Sequence, residues 1–401
     1  MSRRSGQIIK RGDRKWEVRI YRGTDSETGK RVYEGCTVNG TKKDAERELT
    51  ELSAKLHRGQ LPKRSALKLG EWCETWLEDF ASQSVRARTL DDYRYTLEAY
   101  VKPDPVWGLR LQQVKTGHLQ AMIRRLQKDP NRKLGPRSIK MVHSILAAAL
   151  ESARRQGKIA ANPAPDVELP KQQRREMRAL SSEEVGWFLK AVVGDRFEGY
   201  FVLALDTGAR PNELLALQWD TVDLEAGTIS IVRTLPRLKK GEPLRFEETK
   251  TPRSRRTLSI SPSTVRALAA HRSRMALERL AAKRGPMGPG DLVFTSAPRP
   301  APRNGGPSVI GGGPVEHQNL ANRHFKPAIE RAKITGSVRL YDLRHTTATA
   351  LLMRCVPINS VAARLGHASA KMTLDVYGHV LPETDQMVVN AISEAFFSSG
   401  S

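Results

Sequence analysis

The C-terminal third of the chain reads Tyr341-Asp-Leu-Arg344-His345, then Leu365-Gly366-His367, then Thr373-Leu-Asp-Val-Tyr377-Gly-His379. Upstream stands Thr207-Gly-Ala-Arg210-Pro-Asn-Glu213-Leu. These stretches carry local structure as well as chemistry. Gly366 ends a helix predicted over 357–365. Proline favours the first helical position and keeps its predecessor out of the α region, so Arg210 sits at the mouth of a helix predicted over 211–219. Tyr341 and Arg344 are three apart and share a helix face, with Leu343, Leu351 and Leu352 available to anchor that helix.

Together these side chains suit chemistry at a phosphodiester. Attack on phosphorus builds negative charge on the non-bridging oxygens, and planar, bidentate arginine matches it best. At Arg210 the helix N-terminus adds its dipole and free N–H groups, and Glu213, three residues on, can brace the guanidinium. His367 is a candidate phosphate donor and Tyr377 a candidate nucleophile. An unperturbed phenol titrates near ~10, so Tyr377 needs a proton acceptor or a cationic field; Arg210, Arg344 and His367 would supply the field. The Gly378-His379 pair predicts a helix end with an exposed hydroxyl. Singly, each residue has a plainer reading: a solvated cap arginine, a structural histidine, a core or surface tyrosine. The weight lies in the set.

That set resembles the active site of the tyrosine recombinases, the phage integrase family. The resemblance implies a transesterification that needs no metal, ATP or other cofactor. Tyr377 would form a 3′-phosphotyrosine and release a 5′-hydroxyl. In the family a lysine on a β-hairpin protonates the leaving oxygen. Lys250 matches it within Glu248-Thr-Lys250-Thr-Pro-Arg-Ser-Arg-Arg-Thr257, with Lys239 and Lys240 as competitors. One position departs from the family: Tyr341 stands where many members have the histidine of His-x-x-Arg. A phenol does not readily accept a proton near pH 7, though it can donate to phosphate. The general base is therefore open among His367, water and Lys250, while His345 reads as lying on another helix face.

By the same resemblance the partners are double-stranded DNA attachment sites, and four protomers form a homotetramer that exchanges strands through a Holliday junction. An excisionase and a DNA-bending host factor are implied by the family alone. The function this predicts is that of an integrase of a phage or mobile element. Rival readings are a conjugative-transposon transposase, a catalytically inert DNA-binding regulator and a type IB topoisomerase.

Composition agrees with a nucleic-acid partner. The 401 residues carry a formal net charge of +24, with enough apolar content for several cores. Three dispersed cysteines form no CxxC pair, which gives neither a zinc framework nor a disulfide pattern and suits a reducing cytoplasm. The first residues lack the apolar stretch of a signal peptide, and no run is long enough to span a bilayer.

The predicted fold class is multidomain α+β. Residues 1–65 hold 17 Lys/Arg against 9 Asp/Glu. Alternation over 15–21 and a second strand over 30–38 read as a hairpin, followed by a helix from Thr41 to about Leu56 with Thr41 as its cap. A small basic sheet plus helix is similar to the arm-type DNA-binding domain of integrases. Residues 66–168 read as an all-helical core-binding domain, with a helix starting at Thr89 and periodic stretches over 111–126 and 138–156. Trp72 and Trp76 read as core. Residues 169–178 read as a basic linker whose Lys171, Arg174, Arg175 and Arg178 would face phosphates if the flanking domains clamp DNA. Residues 179–401 form the catalytic domain, mainly helical with a small antiparallel sheet. Its predicted features are a helix capped at Ser181, strands over 228–235, 244–248 and 256–260, a Gly/Pro-rich loop over 296–314, and an amphipathic tail over 381–397.

Overall fold

In the N-terminal segment, alternation of apolar and charged residues builds a three-stranded antiparallel sheet, β1 (Gln7–Gly12), β2 (Lys15–Thr24) and β3 (Arg31–Asn39), in the order β1-β2-β3. Val18 and Ile20 point to one face and are fully buried beneath α1 (Lys42–His57), which contributes Ala45 and Leu52. Thr41 caps α1 reciprocally with Asp44: its backbone N–H donates to the carboxylate at 2.7 Å, and its hydroxyl accepts from Asp44 N–H at 3.3 Å. Strand β1 was not predicted, because the adjacent Ile8-Ile9 pair shows no alternation; pairing with β2, from Gln7 opposite Arg19, makes it a strand. The computed structural model describes residues 6–24, 31–57, 65–130, 134–172, 177–236, 246–248, 254–297 and 312–378, together with Val389, Ile392, Ser393 and Phe396.

The next segment is helical. It comprises α2 (Leu69–Thr75), α3 (Ser82–Ser84), α4 (Ala87–Thr96), α5 (Thr116–Lys128) and α6 (Pro136–Arg155). Wider π-turns over Trp76–Ala81 and Leu97–Val101 run on from α2 and α4. Trp72 and Trp76 are both core: the Trp72 indole donates to the Ala149 carbonyl at 2.7 Å, and Trp76 stacks on Tyr93 with centroids 5.8 Å apart. Burying a large apolar side chain stabilises by about 1.5–3 kcal/mol, so this pair anchors the bundle. Two helix starts differ from prediction. Helix α4 begins at Ala87 behind an extended Arg86, with no side-chain cap. The stretch over 111–126 breaks at Val114 and Lys115, where His118 Nδ1 accepts from the Lys115 N–H at 3.2 Å and starts α5 afresh.

The chain divides into two units, Met1–Arg174 and Arg175–Ser401. The first contains the sheet-plus-helix and the helical segment, each with its own hydrophobic cluster. The second begins with α7 (Ser182–Val192), capped by Ser181 with Glu184 in reciprocal hydrogen bonds. Helix α8 (Glu198–Thr207) is apolar nearly all round and is packed by α10 (Pro262–Ala281) and α13 (Asp342–Met353). Tyr200 meets Phe294 and Phe201 meets Phe188 edge-on, while Phe201 meets Phe325 at a tilt.

Helix α9 (Pro211–Leu214) stops well short of residue 219. Tertiary pairing overrides the helical pattern there: the Leu217 carbonyl accepts from Val293 N–H at 2.8 Å, and Trp219 N–H donates to the Asp291 carbonyl at 3.1 Å. The predicted strand over 228–235 divides in two. Strand β5 (Thr228–Ile231) lies between β4 (Val222–Asp223) and β8 (Arg256–Ser259), whereas β6 (Arg233–Thr234) pairs with β7 (Glu247–Glu248). Helices α11 (His317–Leu320), α12 (Lys326–Arg331), α14 (Ile358–Leu365) and α15 (Ala370–Tyr377) complete the unit. Most of the predicted loop over 296–314 and of the tail over 381–397, four residues of the linker, and Lys239, Lys240 and Lys250 lie outside the described residues. No helix among the described residues is long and apolar enough to cross a membrane.

Candidate active site

Two glycines in the left-handed region build the frame of the site. Gly208 ends α8 with φ 60°, and Gly366 ends α14 with φ 66°. Both conformations are strained for any residue with a Cβ, and space is closed as well. A Cβ on Gly208 would lie 2.7 Å from Leu365, and one on Gly366 would lie 2.6 Å from the Arg256 guanidinium. Each glycine carbonyl then receives an arginine. Arg344 Nη1 donates to the Gly208 carbonyl at 2.7 Å, and Arg210 Nη2 donates to the Gly366 carbonyl at 3.2 Å. Thr347 fastens α13 to α8 by donating to the Leu205 carbonyl at 2.7 Å.

Arg210 is the N-cap of α9 in extended backbone, as its Pro211 neighbour predicts. Glu213 braces it, accepting from Arg210 Nη1 at 2.6 Å and from its backbone N–H at 3.0 Å. The same carboxylate takes Arg256 Nη2 at 3.0 Å, so one buried carboxylate serves two arginines. Burial pushes the Glu213 pKa up, but the charges of Arg256 and Arg210 outweigh it and hold the group below the usual carboxylate value. Arg256 also donates to the Arg364 carbonyl at 2.8 Å, tying β8 to α14.

Arg344 is only 2 % exposed, and its Nη2 has no hydrogen-bond partner among the described residues. Burial brings its pKa down to about 10, with the Arg210 charge acting in the same direction. His367 is buried and shares a 2.8 Å hydrogen bond between Nδ1 and the Thr373 hydroxyl. Burial and then the charges of Arg344, Arg210 and Arg256 lower its pKa to about 4, so it is neutral at pH 7. As a neutral imidazole it can donate to a phosphate oxygen from its other nitrogen.

Tyr377 ends α15 and departs from prediction. Its side chain is buried, 3 % exposed, instead of presenting its hydroxyl to solvent. Burial raises its pKa above the ordinary tyrosine value, and the opposing pull of Arg344 is too weak to reverse this. The Tyr377 hydroxyl lies 2.6 Å from Nδ1 of His345. His345 is thus the residue that reading the sequence placed on the wrong face. The contact joins α13 to α15 across 32 residues, and no local pattern signals it. Tyr341 caps α13, 38 % exposed, with its ring edge-on to His345 at a centroid distance of 5.3 Å. The structure therefore brings Arg210, Arg344, His367 and Tyr377 into one site, sets Tyr341 at its rim, and adds Arg256, His345 and Thr373. Lys250 falls between β7 and β8, outside the described residues.

Known proteins resemble this chain over most of its length. The profile of the "Phage integrase family" matches residues 180–384, just over half of the chain. The chain is 26 % identical over 407 aligned residues to a "Tyrosine recombinase XerC-like" of Caldanaerobacter subterraneus subsp. tengcongensis, covering 97 % of this chain and 98 % of the relative. It is 27 % identical over 360 residues to an "Integrase" of Streptomyces ambofaciens, covering 87 % and 86 %. Among solved structures, the Tn1549 transposon integrase in complex with a circular-intermediate DNA has a TM-score of 0.64 at 17 % identity, covering 82 % of this chain and 99 % of that one. A lambda integrase tetramer bound to a Holliday junction has a TM-score of 0.55 at 16 % identity, covering 94 % and 95 %. These two structures share the fold.

Proposed function

Because this chain belongs to the phage integrase family, the tyrosine-type site-specific recombinases, we propose that Tyr377 attacks a DNA phosphate to form a 3′-phosphotyrosine and release a 5′-hydroxyl. The observation that carries this assignment of roles is the convergence of Arg210, Arg344, His367 and Tyr377, from four separate helix ends, on one buried cationic site.

Arg344 and Arg210 bind the non-bridging oxygens and offset the charge that develops in the transition state. His367, held neutral, donates a hydrogen bond to the same phosphate. Tyr341 is a second neutral donor at the rim. Lys250 protonates the departing 5′-oxygen, an assignment supported by its place between β7 and β8. Religation reverses these steps on another strand, and the bond energy is kept in the phosphotyrosine.

The partners follow from the same reading. Double-stranded attachment sites are the substrate, and four copies work together on two duplexes, integrating a phage or mobile element. The N-terminal sheet with α1 serves as an arm-type DNA-binding domain over 1–65. The helical domain over 66–168 and the catalytic domain over 179–401 grip the core site, joined by the linker over 169–178. Excision would call on an excisionase and a DNA-bending host factor.

The test uses nicked duplexes tiled across the ends of the protein's own genetic element, with covalent adducts resolved on denaturing gels. The expected result is an adduct at one site, absent for Tyr377→Phe. Scattered adducts would replace site-specific integration with a loosely targeted activity, and an adduct retained by Tyr377→Phe would remove Tyr377 from its role.

A further inference from the structure

We propose that His345 is the general base of this enzyme, accepting the Tyr377 proton at Nδ1 as the phenol attacks phosphorus. This rests on the assignment of Tyr377 as the nucleophile. Four observations carry it. The Nδ1–Oη distance of 2.6 Å already joins base and nucleophile, within the reach proton transfer requires. His345 is fixed by its place on α13 beside Arg344, so the base and a phosphate-binding arginine are consecutive residues of one rigid helix. The rim position that could have held another histidine is occupied by Tyr341, whose ring packs edge-on against His345. His367, the other imidazole of the site among the described residues, already engages Thr373 through Nδ1 and is pressed by three arginines, which suits a donor and not a base.

The proton and bond changes balance within the site. With the His345 proton on Nε2, Nδ1 accepts the hydrogen bond from Tyr377. As the Oη–P bond forms, the phenolic proton passes to Nδ1. As the P–O5′ bond breaks, the 5′-oxygen takes a proton from the acid, assigned above to Lys250. At religation the incoming 5′-hydroxyl gives its proton back to that acid as its oxygen displaces Tyr377 from phosphorus, and the imidazolium returns its proton to the phenolate. The groups facing His345 set its basicity: Asp342, Arg339, Arg344 and Tyr341 on or beside its own helix, Tyr377 on α15 and His367 after α14. Burial lowers its pKa, Arg339 and Arg344 act with burial, and Asp342 opposes them. The imidazole is therefore neutral and able to accept at pH 7. Tyr377, whose pKa burial raises, has correspondingly more need of a base in contact.

The experiment measures single-turnover adduct formation by the full chain on the nicked duplex that the tiled screen selects, across pH 5.5–9, for wild type, His345→Ala and His345→Gln. Glutamine keeps an acceptor oxygen and most of the side-chain volume, so it preserves the test if alanine does not fold; binding of the same duplex checks that the site is intact. Loss of a positioned base costs about 10²-fold or more. Expected is that loss in both variants, a wild-type rate that levels off above the His345 pKa, variant rates that keep rising with pH, and partial rescue of His345→Ala by free imidazole. A 5′-bridging sulfur substrate, whose leaving group needs no proton, should leave the deficit in place. Full rescue by that sulfur would make His345 the acid and overturn the proposal. Wild-type rates in both variants would overturn it too, and faster cleavage would make His345 a restraint on Tyr377. If Tyr377→Phe still formed the adduct, the nucleophile assignment would fail first, and the base with it.

Discussion

Arg210 and Arg344 meet the same kind of acceptor in different electrostatic surroundings. Each donates to the carbonyl of a left-handed glycine that closes a helix, Gly366 for Arg210 and Gly208 for Arg344. Arg210 is one-third exposed at the side chain and paired with the Glu213 carboxylate. Arg344 is sealed, has a carbonyl in place of a carboxylate as its hydrogen-bond acceptor, and leaves Nη2 without a partner among the described residues. A buried guanidinium in that condition is unfavourable on its own and gains most when an anion arrives. Arg210, already balanced by Glu213, gains less. The geometry thus separates an arginine that is pre-paired from one whose Nη2 is left without a partner among the described residues, the one the proposed reaction would use for phosphate.

The largest expected effect follows from that separation. Arg344→Ala should slow adduct formation on the nicked duplex by about 10³-fold, and Arg210→Ala by about 10²-fold, the range spanned when one donor to a developing oxyanion is lost. Single-turnover rates at saturating protein provide the ranking. Equal losses, or a greater loss at Arg210, would break the contrast between the two arginines.

The next effect concerns Glu213, whose loss should erase part of the difference. Glu213→Gln leaves Arg210 and Arg256 facing each other with no counter-charge between them, and breaking such a buried pair costs about 3–5 kcal/mol. Chemical denaturation at pH 7 checks it. The pH dependence has a definite sign. The folded-state pKa of Glu213 is depressed, so its contribution is complete above the unfolded value near 4.5 and is lost as pH falls through the lower folded value. Wild type should therefore lose its advantage over Glu213→Gln as pH falls below the unfolded value, and a gap that did not narrow at all in acid would contradict the ion-pair account.

Much of this was legible in sequence, for reasons that are local. Ser181 with Glu184, Thr41 with Asp44, Pro211 after Arg210 and Gly366 after Leu365 each mark a helix end within four residues. The charged set of Arg210, Arg344, His367 and Tyr377 was visible because arginine and tyrosine chemistry is read from residue type. The features that escaped depend on distant parts of the chain. Helix α9 ends early because residues 291–293 pair with the backbone that follows it. Strand β1 exists only as a partner of β2. Arg256 reads as one basic residue among many in a rich stretch until Glu213 is found beside it. His345 could not be matched to Tyr377 because their contact is set by how α15 folds back on α13, which the one-residue offset from Arg344 does not report.

Tyr341 carries the smallest expected effect and sharpens the comparison from outside the arginine pair. Two roles compete for it: a neutral hydrogen-bond donor to phosphate, and a ring that orients His345 by edge contact. Tyr341→Phe removes the hydroxyl and keeps the ring. A lost hydrogen bond to a charged partner is worth about 1.5–3 kcal/mol, so a donor role predicts a slowing of roughly 10- to 100-fold. A packing role predicts no change beyond about twofold, because the ring position, 38 % exposed, tolerates the swap. Exposure favours a value near the lower end of the donor range, since a rim hydroxyl competes with water for the phosphate. Measuring Tyr341→Phe in the Arg344→Ala background separates the roles further. A donor to the same oxygens loses its effect once Arg344 no longer holds the phosphate, whereas a ring that only orients His345 predicts no effect of the swap in either background.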